Sequence, residues 1–437
     1  MIHFFLLGSS LLCLWAIVAG ADTVNVLDYG AVRSACDSSN TDDNTAAFQQ
    51  ALDDANAKQM SNVYAPRGCY RFTGHLSIPR GVTLRGSFTS VPSHPLGMGD
   101  PTLDDGTILM PTEGKGQDET SSVPAFITVN ANSALQGLVI YHPEQACEQD
   151  VPAAYPYVIS MVGNNPSVQD VELLNAFNGI QAVGAHRHYI ARVQGQPLNI
   201  GLFVDSTYDI GRIEDVHFNP WFCQAHPFIE YQLVHGRAFV MGRSDWEYVL
   251  NTFAFGYAIG YHFIATDTGA MNGNFVGIGA DLAVNASIYV EDLQPFGLLV
   301  TNGEFTSWYN DAWLPNGTTV SNHVVVAGSN TGPVKFVNSA FWGPTTSIAD
   351  VSGSGLASFT SCEFVEWAEQ EDTTAPAIQF RAGKLLLSGN NFHQDKNQVE
   401  LGEGTTAVVS GNIFSGEKHW VDHGAKNIQE VANAFDS

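Results

Sequence analysis

The segment 201–267 concentrates the side chains that could catalyse a reaction or bind a ligand. It carries carboxylates, histidines, arginines and tryptophans, whereas the polar positions of the C-terminal third are mostly Ser, Gly, Thr and Asn. Two stretches align without a gap at an offset of 37, so that 201–205 falls on 238–242 and 216–218 falls on 253–255. A third stretch of the same type covers 260–264. The pattern predicts stacked strands with a chemically active outer face.

Alternation along these strands predicts which side chains face outward. The aliphatic and aromatic alternates would point inward and form the core. Asp205 and His262 would then face one groove, with Val240 and Gly242 as its floor. Because strands lie about 4.8 Å apart, residues two strands apart lie about 10 Å apart. We expect this groove to admit a sugar ring.

Three carboxylates, Asp205, Asp245 and Glu247, are the predicted acid and base residues of this groove. Inverting glycosidases hold their two carboxyl groups roughly 6.5 to 9.5 Å apart, and retaining ones about 5.5 Å apart. Crowding of carboxylates on an apolar face also raises the pKa of one of them, as a general acid requires. His262 is a fourth catalytic candidate. The alternatives are a solvated turn carboxylate and a hydrogen-bonded surface histidine.

Further residues of the same segment are predicted to contact substrate. Arg237, Arg243 and Asp209 could bind sugar hydroxyl or carboxylate groups. Trp221, in a long loop over 219–235, or Trp246 could stack against a sugar ring, because aromatic faces pack well on apolar surfaces. The alternative is that these tryptophan rings cover the ends of coils. No dense His or Cys spacing indicates a metal site.

Short strands that end in Phe indicate the architecture that positions these residues. They recur with spacings of 36, 23, 28 and 22 residues, at Phe305, Phe341, Phe364, Phe392 and Phe414. Such spacings suit one coil with loops of variable length, and a stack of coils closes one continuous core. We predict an all-β fold, a right-handed parallel β-helix. An antiparallel β-sandwich, whose strands also alternate, is the alternative.

A helix is predicted only near the N-terminus. In 41–57, Phe48, Ala51, Leu52 and Ala55 fall at i, i+3, i+4 and i+7, so one face is buried. We expect this helix to cap the first coil, where edge hydrogen-bonding groups would otherwise be exposed. We expect one domain over 22–437, with 22–86 forming the N-terminal cap and the first coils.

The start of this domain carries a family resemblance. It rests on four stretches, Val24-Asn-Val-Leu-Asp-Tyr-Gly-Ala31, Asp42-Asp-Asn-Thr-Ala-Ala-Phe-Gln-Gln-Ala-Leu52, Val63-Tyr-Ala-Pro-Arg-Gly-Cys-Tyr-Arg-Phe72 and Val82-Thr-Leu-Arg-Gly86. They resemble the opening of the rhamnogalacturonase and epimerase-like pectate-lyase superfamily, close to glycoside hydrolase family 28-related proteins. The resemblance implies a β-helix, secretion and action on plant, algal or microbial glycans. The Gly-His-Gly and Arg-Ile-Lys signatures of polygalacturonases are absent from the sequence, so the resemblance assigns no catalytic residue.

The net charge of the chain limits the kinds of molecule that it can bind. The formal net charge of −26 disfavours nucleic acid and anionic membranes, and it mildly favours a neutral glycan over a polyanionic one. We therefore predict a polysaccharide partner and a glycoside hydrolase without a cofactor. A uronate lyase or epimerase, for which Ca2+ could serve, and a non-catalytic glycan-binding β-helix are the alternatives.

The N-terminus and the cysteines indicate an extracellular protein. Residues 1–21 contain an apolar run that ends in small residues, as in a signal peptide. Asn285 and Asn316 lie in glycosylation sequons. Beyond the predicted signal five cysteines remain, so at least one thiol stays unpaired. We expect either a Cys36–Cys69 disulfide or two buried thiols at these positions.

Overall fold

The computed structural model describes residues 22–94, 103–118, 120, 122–145, 147, 151–307, 322–369 and 374–436. The predicted signal peptide and the sequon at Asn316 lie outside these residues. The described residues form two α-helices, α1 (Thr45–Ala57) and α2 (His226–His235), and a 3₁₀ helix (Val26–Tyr29). Their strands are β1 (Thr23–Asn25), β2 (Asn62–Tyr64), β3 (Gly68–Phe72), β4 (Leu76–Ile78), β5 (Thr83–Arg85), β6 (Thr107–Pro111), β7 (Ile127–Val129), β8 (Ala134–Tyr141), β9 (Tyr157–Asn164), β10 (Ser167–Leu174), β11 (Asn178–His186), β12 (Tyr189–Gly195), β13 (Ile200–Asp205), β14 (Arg212–Phe218), β15 (Arg237–Met241), β16 (Glu247–Leu250), β17 (Phe253–Phe255), β18 (Ile259–Phe263), β19 (Met271–Val276), β20 (Gly279–Asp281), β21 (Ala286–Val290), β22 (Leu293–Thr301), β23 (Glu304–Thr306), β24 (Asn322–Val326), β25 (Val334–Val337), β26 (Ala340–Trp342), β27 (Ser347–Val351), β28 (Leu356–Thr360), β29 (Glu363–Phe364), β30 (Ile378–Phe380), β31 (Lys384–Ser388), β32 (Asn391–Phe392), β33 (Val399–Leu401), β34 (Thr406–Ser410), β35 (Ile413–Phe414), β36 (Trp420–Asp422), β37 (Asn427–Val431) and β38 (Ala434–Phe435).

Two long parallel sheets wrap one hydrophobic core. One sheet has 13 strands in the order β4-β7-β9-β11-β13-β15-β18-β21-β24-β27-β30-β33-β36, and the other has 25 strands. From β15 onward each coil contributes one strand to the first sheet and two to the second. Neighbouring strands are thus one full coil apart in sequence and parallel. This is a parallel β-helix, as predicted, and the antiparallel sandwich is wrong.

The recurring phenylalanines confirm the repeat. Strand pairing aligns them residue on residue, and all five are fully buried. Successive ring centroids lie 5.2, 5.7, 4.6 and 4.5 Å apart. Loops absorb the differences in spacing, so each ring packs against the equivalent ring of the next coil, either stacked or tilted.

Left-handed residues form the corner between the two strand ladders of the 25-stranded sheet. Asn251, Asn302 and Asn338 have φ values of 51°, 57° and 51°. Asparagine tolerates this conformation better than most residues, which explains why it recurs just before the Phe strands. The Nδ2 of Asn338 donates to the Oδ1 of Asn302 at 2.8 Å, so adjacent corners are also hydrogen-bonded.

Helix α1 covers most of the predicted segment, and its apolar face is buried. Phe48, Ala51, Leu52 and Ala55 are fully buried in the main core, where the helix contacts β1, β2 and β4. The role of α1 as a cap of the first coil stays a prediction. Within the described residues, no helix is long and apolar enough to cross a membrane.

Helix α2 replaces part of the predicted loop over 219–235. Pro227 lies in its first turn, where the fixed φ of proline suits a helix, and Phe228, Ile229 and Leu233 are buried. The short apolar pattern around a proline favoured a loop, so the helix was not expected from sequence.

Four of the cysteines are paired. Cys36 bonds to Cys69, as predicted, and Cys147 bonds to Cys223. Cys362 is a buried free thiol, in agreement with the odd count.

Candidate functional site

The 13-stranded sheet carries the predicted outward row, but the predicted groove floor is covered. Phe203 pairs with Val240, as the offset of 37 requires, and Val240 pairs with His262 in the third aligned stretch. Val240 is only 2% exposed and His262 only 8%. Tyr157 and Phe203 stack at 6.4 Å within an apolar cluster that includes Val240. The expectation of an open floor is therefore wrong, because outer-face aromatic residues pack over it.

His262 is held within this covered surface. Its Nε2 lies 2.8 Å from Glu291 Oε1, and its ring contacts Tyr289 edge-on at 5.2 Å. Burial lowers the pKa of His262, an effect that Glu291 opposes and nearby Arg237 reinforces. An imidazole that is neutral and already hydrogen-bonded within the protein has a structural role and is poorly placed to transfer a proton to a substrate.

The second aligned stretch is shifted by one residue. His217 pairs with Phe253, an offset of 36, whereas the sequence alignment placed Val216 on Phe253. The connection between β15 and β16 is one residue shorter than its counterpart between β13 and β14, as the pairing of Arg212 with Tyr248 also shows. The alignment over 216–218 is thus wrong, and Phe253 faces outward.

Glu247 does not face a groove, so its prediction as a surface catalyst is wrong. It begins strand β16, where it shares the inward row with Val249 while Tyr248 points outward. Its fully buried carboxylate lies 2.9 Å from His188 Nε2 and accepts a hydrogen bond from Ser244 Oγ. Burial alone would lower the pKa of His188, but the Glu247 carboxylate raises it above its ordinary value. The pair anchors the loop that precedes β16.

Asp205 anchors the same loop from the other side. Its Oδ1 accepts hydrogen bonds from the Arg243 backbone N at 2.7 Å, Thr266 Oγ1 at 2.9 Å and Thr268 Oγ1 at 3.1 Å. Gly242 leaves room for this carboxylate, since a Cβ there would lie 2.6 Å from Asp205 Oδ1. Asp205 therefore connects three successive coils.

The anchored loop forms one wall of a surface cleft of about 490 Å³, here called the Arg243 cleft. Its lining residues are Arg243, Asp245, Trp246, Asn272, Gln294 and Phe296. The cleft thus brings together three of the predicted site residues, Arg243, Asp245 and Trp246, and adds three from the next two coils that sequence reasoning missed.

A polar network fills the base of the cleft. Asp245 accepts from Arg243 Nη2 at 3.0 Å and from Gln294 Nε2 at 2.8 Å. Asn272 Nδ2 donates to Gln294 Oε1 at 2.9 Å. Arg243 also lies over the Tyr208 ring, at 5.5 Å from its centroid. Both oxygens of Asp245 are occupied, so this carboxylate suits orientation of polar groups better than proton transfer.

Two aromatic rings project from the rim of the cleft. Trp246 is 61% exposed and Phe296 is 75% exposed. Trp246 has a left-handed backbone with φ of 61°, and its N–H donates to Asn272 Oδ1 at 3.2 Å. Both rings therefore lie in water at the rim, where a ligand could stack on them.

The other predicted contacts lie apart from the cleft. Asp209 pairs with Arg187 at 2.7 Å, and Trp221 packs edge-on against His217 at 5.3 Å. Asn285 is exposed. Among the residues described by the structure, no group of three His, Cys, Asp or Glu side chains is arranged to hold a metal ion.

The N-terminal half of the chain matches a known family. Residues 23–218 match the family described as Rhamnogalacturonase A/epimerase, pectate lyase-like. This part of the chain therefore resembles the pectate lyase-like superfamily, in agreement with the parallel β-helix. No curated protein sequence matches it significantly.

The solved structures to which the chain is similar share little sequence with it. A tailspike protein of E. coli bacteriophage HK620 is 9% identical at a TM-score of 0.55, over 94% of this chain and 78% of that one. The A-module of a mannuronan C-5 epimerase from Azotobacter vinelandii is 12% identical at 0.41, over 94% and 97%. The catalytic unit of a GH87 alpha-1,3-glucanase from Streptomyces thermodiastaticus is 14% identical at 0.42, over 95% and 70%. The tailspike likeness shows the fold alone.

Proposed function

We propose that the chain is a secreted glycoside hydrolase that binds a neutral polysaccharide in the Arg243 cleft. The observation that carries this proposal is the pair of exposed rings, Trp246 and Phe296, beside a hydrogen-bonding network of Arg, Asp, Asn and Gln side chains. Sugar rings present apolar faces for stacking and hydroxyl groups for hydrogen bonding, and the cleft supplies both types of partner. Large exposed apolar side chains beside such a network are otherwise costly.

Charge favours a neutral glycan over a uronate. Of the six lining residues, Arg243 is the cation, and its charge is already compensated by Asp245 at 3.0 Å. The cleft therefore has no surplus positive charge to offset a carboxylate, and the net charge of −26 repels polyanions at long range. These features support hydrolysis of a neutral chain over elimination from a uronate.

A uronate lyase is the second candidate, supported by one specific observation. Within the described part of the chain, the buried Nε–H of Arg243 has no acceptor. A ligand carboxylate that displaced Asp245 could pair with this donor. The two reactions give different products, since a lyase leaves an unsaturated sugar end that absorbs ultraviolet light and a hydrolase leaves only a new reducing end.

The test is polysaccharide binding by Trp246→Ala and Phe296→Ala variants. Trp246 is 61% exposed. A sugar ring stacked on it would remove about 75 Å² of its surface from water, about half of the exposed area, and the alanine variant would lose this contact. At about 25 cal/mol per Å² this is about 2 kcal/mol, or about a 20-fold weaker Kd. The probes are dextran, laminarin, galactomannan and xyloglucan, with polygalacturonate and alginate as charged comparisons.

Trp420→Ala, in the last described coil, is the matched control and should leave binding unchanged. Unchanged affinity of both cleft variants for a glycan that the natural protein binds would contradict the proposed site. Binding confined to the two uronate polymers, with an ultraviolet-absorbing product, would contradict hydrolysis of a neutral glycan.

A further inference from the structure

A second groove, of about 450 Å³, lies at the opposite end of the strands that border the Arg243 cleft. It runs along β17, β20, β23 and β26 and is here called the Asp281 groove. Two carboxylates, Asp281 and Glu304, and two aromatic rings, Phe253 and Trp342, line it. None of these carboxylates was singled out from the sequence.

Strand pairing fixes the relative positions of the two carboxylates. Glu304 pairs with Gly279, and Asp281 pairs with Thr306, so Asp281 and Glu304 are diagonal neighbours on adjacent strands. The residues between them, Ala280 and Phe305, are fully buried, so both carboxylates share the outer face. With strands about 4.8 Å apart and a rise of about 3.3 Å per residue, their Cα atoms lie about 8 Å apart.

The surroundings suit a sugar chain. Trp342 pairs with Thr306 on the neighbouring strand and is 41% exposed, so its ring lies one strand beyond the carboxylates. The ring of Phe253 lies over Gly279, where a Cβ would approach it to 2.8 Å. The glycine therefore keeps the floor low between two aromatic walls.

The carboxylates predicted from the loop beside the Arg243 cleft are engaged, whereas Glu304 makes no ion pair with a described residue. Asp245 accepts hydrogen bonds on both oxygens, and Glu247 is buried. Glu304 is exposed and makes no ion pair within the part of the chain that the structure describes. An exposed carboxylate without such a partner can accept a proton from water.

We infer that Asp281 and Glu304 are the acid and base of an inverting glycoside hydrolase. The inference rests on the proposed function and deepens it by separating cleavage from binding in the Arg243 cleft. One carboxyl donates its proton to the glycosidic oxygen as the bond from that oxygen to the anomeric carbon breaks. The other carboxylate takes a proton from the water whose oxygen forms the new bond to that carbon. Both side chains leave the same face of adjacent strands, so a Cα spacing of about 8 Å can accommodate carboxyl groups roughly 6.5 to 9.5 Å apart, the separation that leaves room for this water in inverting enzymes.

The distance between the two grooves specifies the substrate further. Asn272 of the Arg243 cleft is the second residue of β19, and Gly277, which lines the Asp281 groove, follows the end of that strand. Five residues of extended strand span about 17 Å, so a glycan that occupies both grooves must be several sugar units long. We therefore expect internal cleavage of a long neutral chain.

The experiment compares Asp281→Asn and Glu304→Gln in the full chain. Both substitutions keep side-chain size on an outward face, so melting temperature should not change. Turnover of the neutral polysaccharide that the natural protein binds should fall on the order of 10² to 10⁴-fold, while binding changes little. Glu363→Gln is the matched control, because Glu363 lies two strands further along the same outward row, pairs with His393 and should keep full turnover.

The outcomes separate the inference from the proposed function. Full turnover in both single variants, or a product that retains its anomeric configuration by proton NMR, would overturn the acid–base pair while the binding cleft stands. Binding without any cleavage by the natural protein would overturn both the pair and the assignment as a hydrolase, while the binding cleft stands. If the cleft variants keep their affinity while Asp281→Asn loses turnover, binding in the Arg243 cleft is refuted and the acid–base pair is supported.

Discussion

Replacement of Glu247 tests whether a buried carboxylate positions the Arg243 cleft. Glu247 lies 2.9 Å from His188 Nε2 and accepts from Ser244, which sits between the cleft residues Arg243 and Asp245. Both partners of the His188–Glu247 pair are fully buried. Glu247→Ala removes the anchor, whereas Glu247→Gln keeps its shape and can donate an amide N–H to the imidazole.

The two substitutions should differ in cost. Removal of one partner of a buried pair costs about 3 to 5 kcal/mol, because the other is left uncompensated. Glu247→Gln exchanges two charge-assisted hydrogen bonds for neutral ones, each weaker by about 1 kcal/mol, so its cost is about 2 kcal/mol. Because the pKa of His188 is raised, its contribution to stability is fully present below pH 6.5 and is lost as the pH rises through the folded pKa.

Urea unfolding and polysaccharide affinity together provide the assay. We expect Glu247→Ala to lower both the unfolding midpoint and the affinity of the Arg243 cleft, and Glu247→Gln to keep most of the affinity. Glu403→Ala, at an exposed position, is the control and should change neither. Equal stability of Glu247→Ala and the natural protein would show that the buried pair does not anchor the loop.

The remaining predictions concern stability. Burial lowers the pKa of His323 to about 3, so the free energy of unfolding should fall by about 1.4 kcal/mol per pH unit between pH 6.5 and pH 3. His323→Gln should make the melting temperature less dependent on pH in this range, whereas exposed His393→Gln should not. Parallel profiles of melting temperature against pH for His323→Gln and the natural protein would contradict this. Cys147→Ser with Cys223→Ser opens a loop of 76 residues and should cost about 4.5 kcal/mol by urea titration, whereas an unchanged midpoint would contradict it. Asn412→Ala should cost about 1 to 3 kcal/mol, because its buried amide bonds to the coils on both sides, and a neutral effect on the melting temperature would refute this role.

The architecture was predictable because equivalent residues of each coil share one environment. Phe305 and Phe341 are 36 residues apart and Phe341 and Phe364 are 23 apart, yet both pairs are aligned residue on residue by the strand pairing. Insertions enter the loops, where they leave the buried ring unchanged. A buried Phe that recurs once per coil is therefore sufficient to identify each coil in the sequence.

Errors arose where a loop length or a strand boundary had to be assumed. The loop before β16 is one residue shorter than assumed, so the alignment of 216–218 with 253–255 is wrong by one residue. Glu247 was predicted to face the groove although it starts strand β16 on the inward row, and a difference of one residue moves a side chain from the surface to the core. Local sequence does not specify either quantity.

The candidate site was only partly predictable for a related reason. Arg243, Asp245 and Trp246 are neighbours in sequence, so any surface loop brings them together. Gln294 and Phe296 enter the cleft from a later coil, and no marker residue sets the register of that connection. The Asp281 groove was missed because its carboxylates belong to two strands of three residues each, too short to show alternation.

The Cys147–Cys223 disulfide determines the order in which the coils unfold. Cys147 follows β8 and Cys223 follows β14, and β8, β10, β12 and β14 are successive neighbours in one sheet. In a stack where each coil contacts only the next, opening that starts at one end must break the coils in turn. The disulfide links the first and the last coil of this run of four neighbouring strands, so stepwise unfolding stops there. Beyond Cys223 the sequence has only the free thiol of Cys362. Amide hydrogens should therefore exchange with solvent first in the C-terminal coils and last in the tied ones.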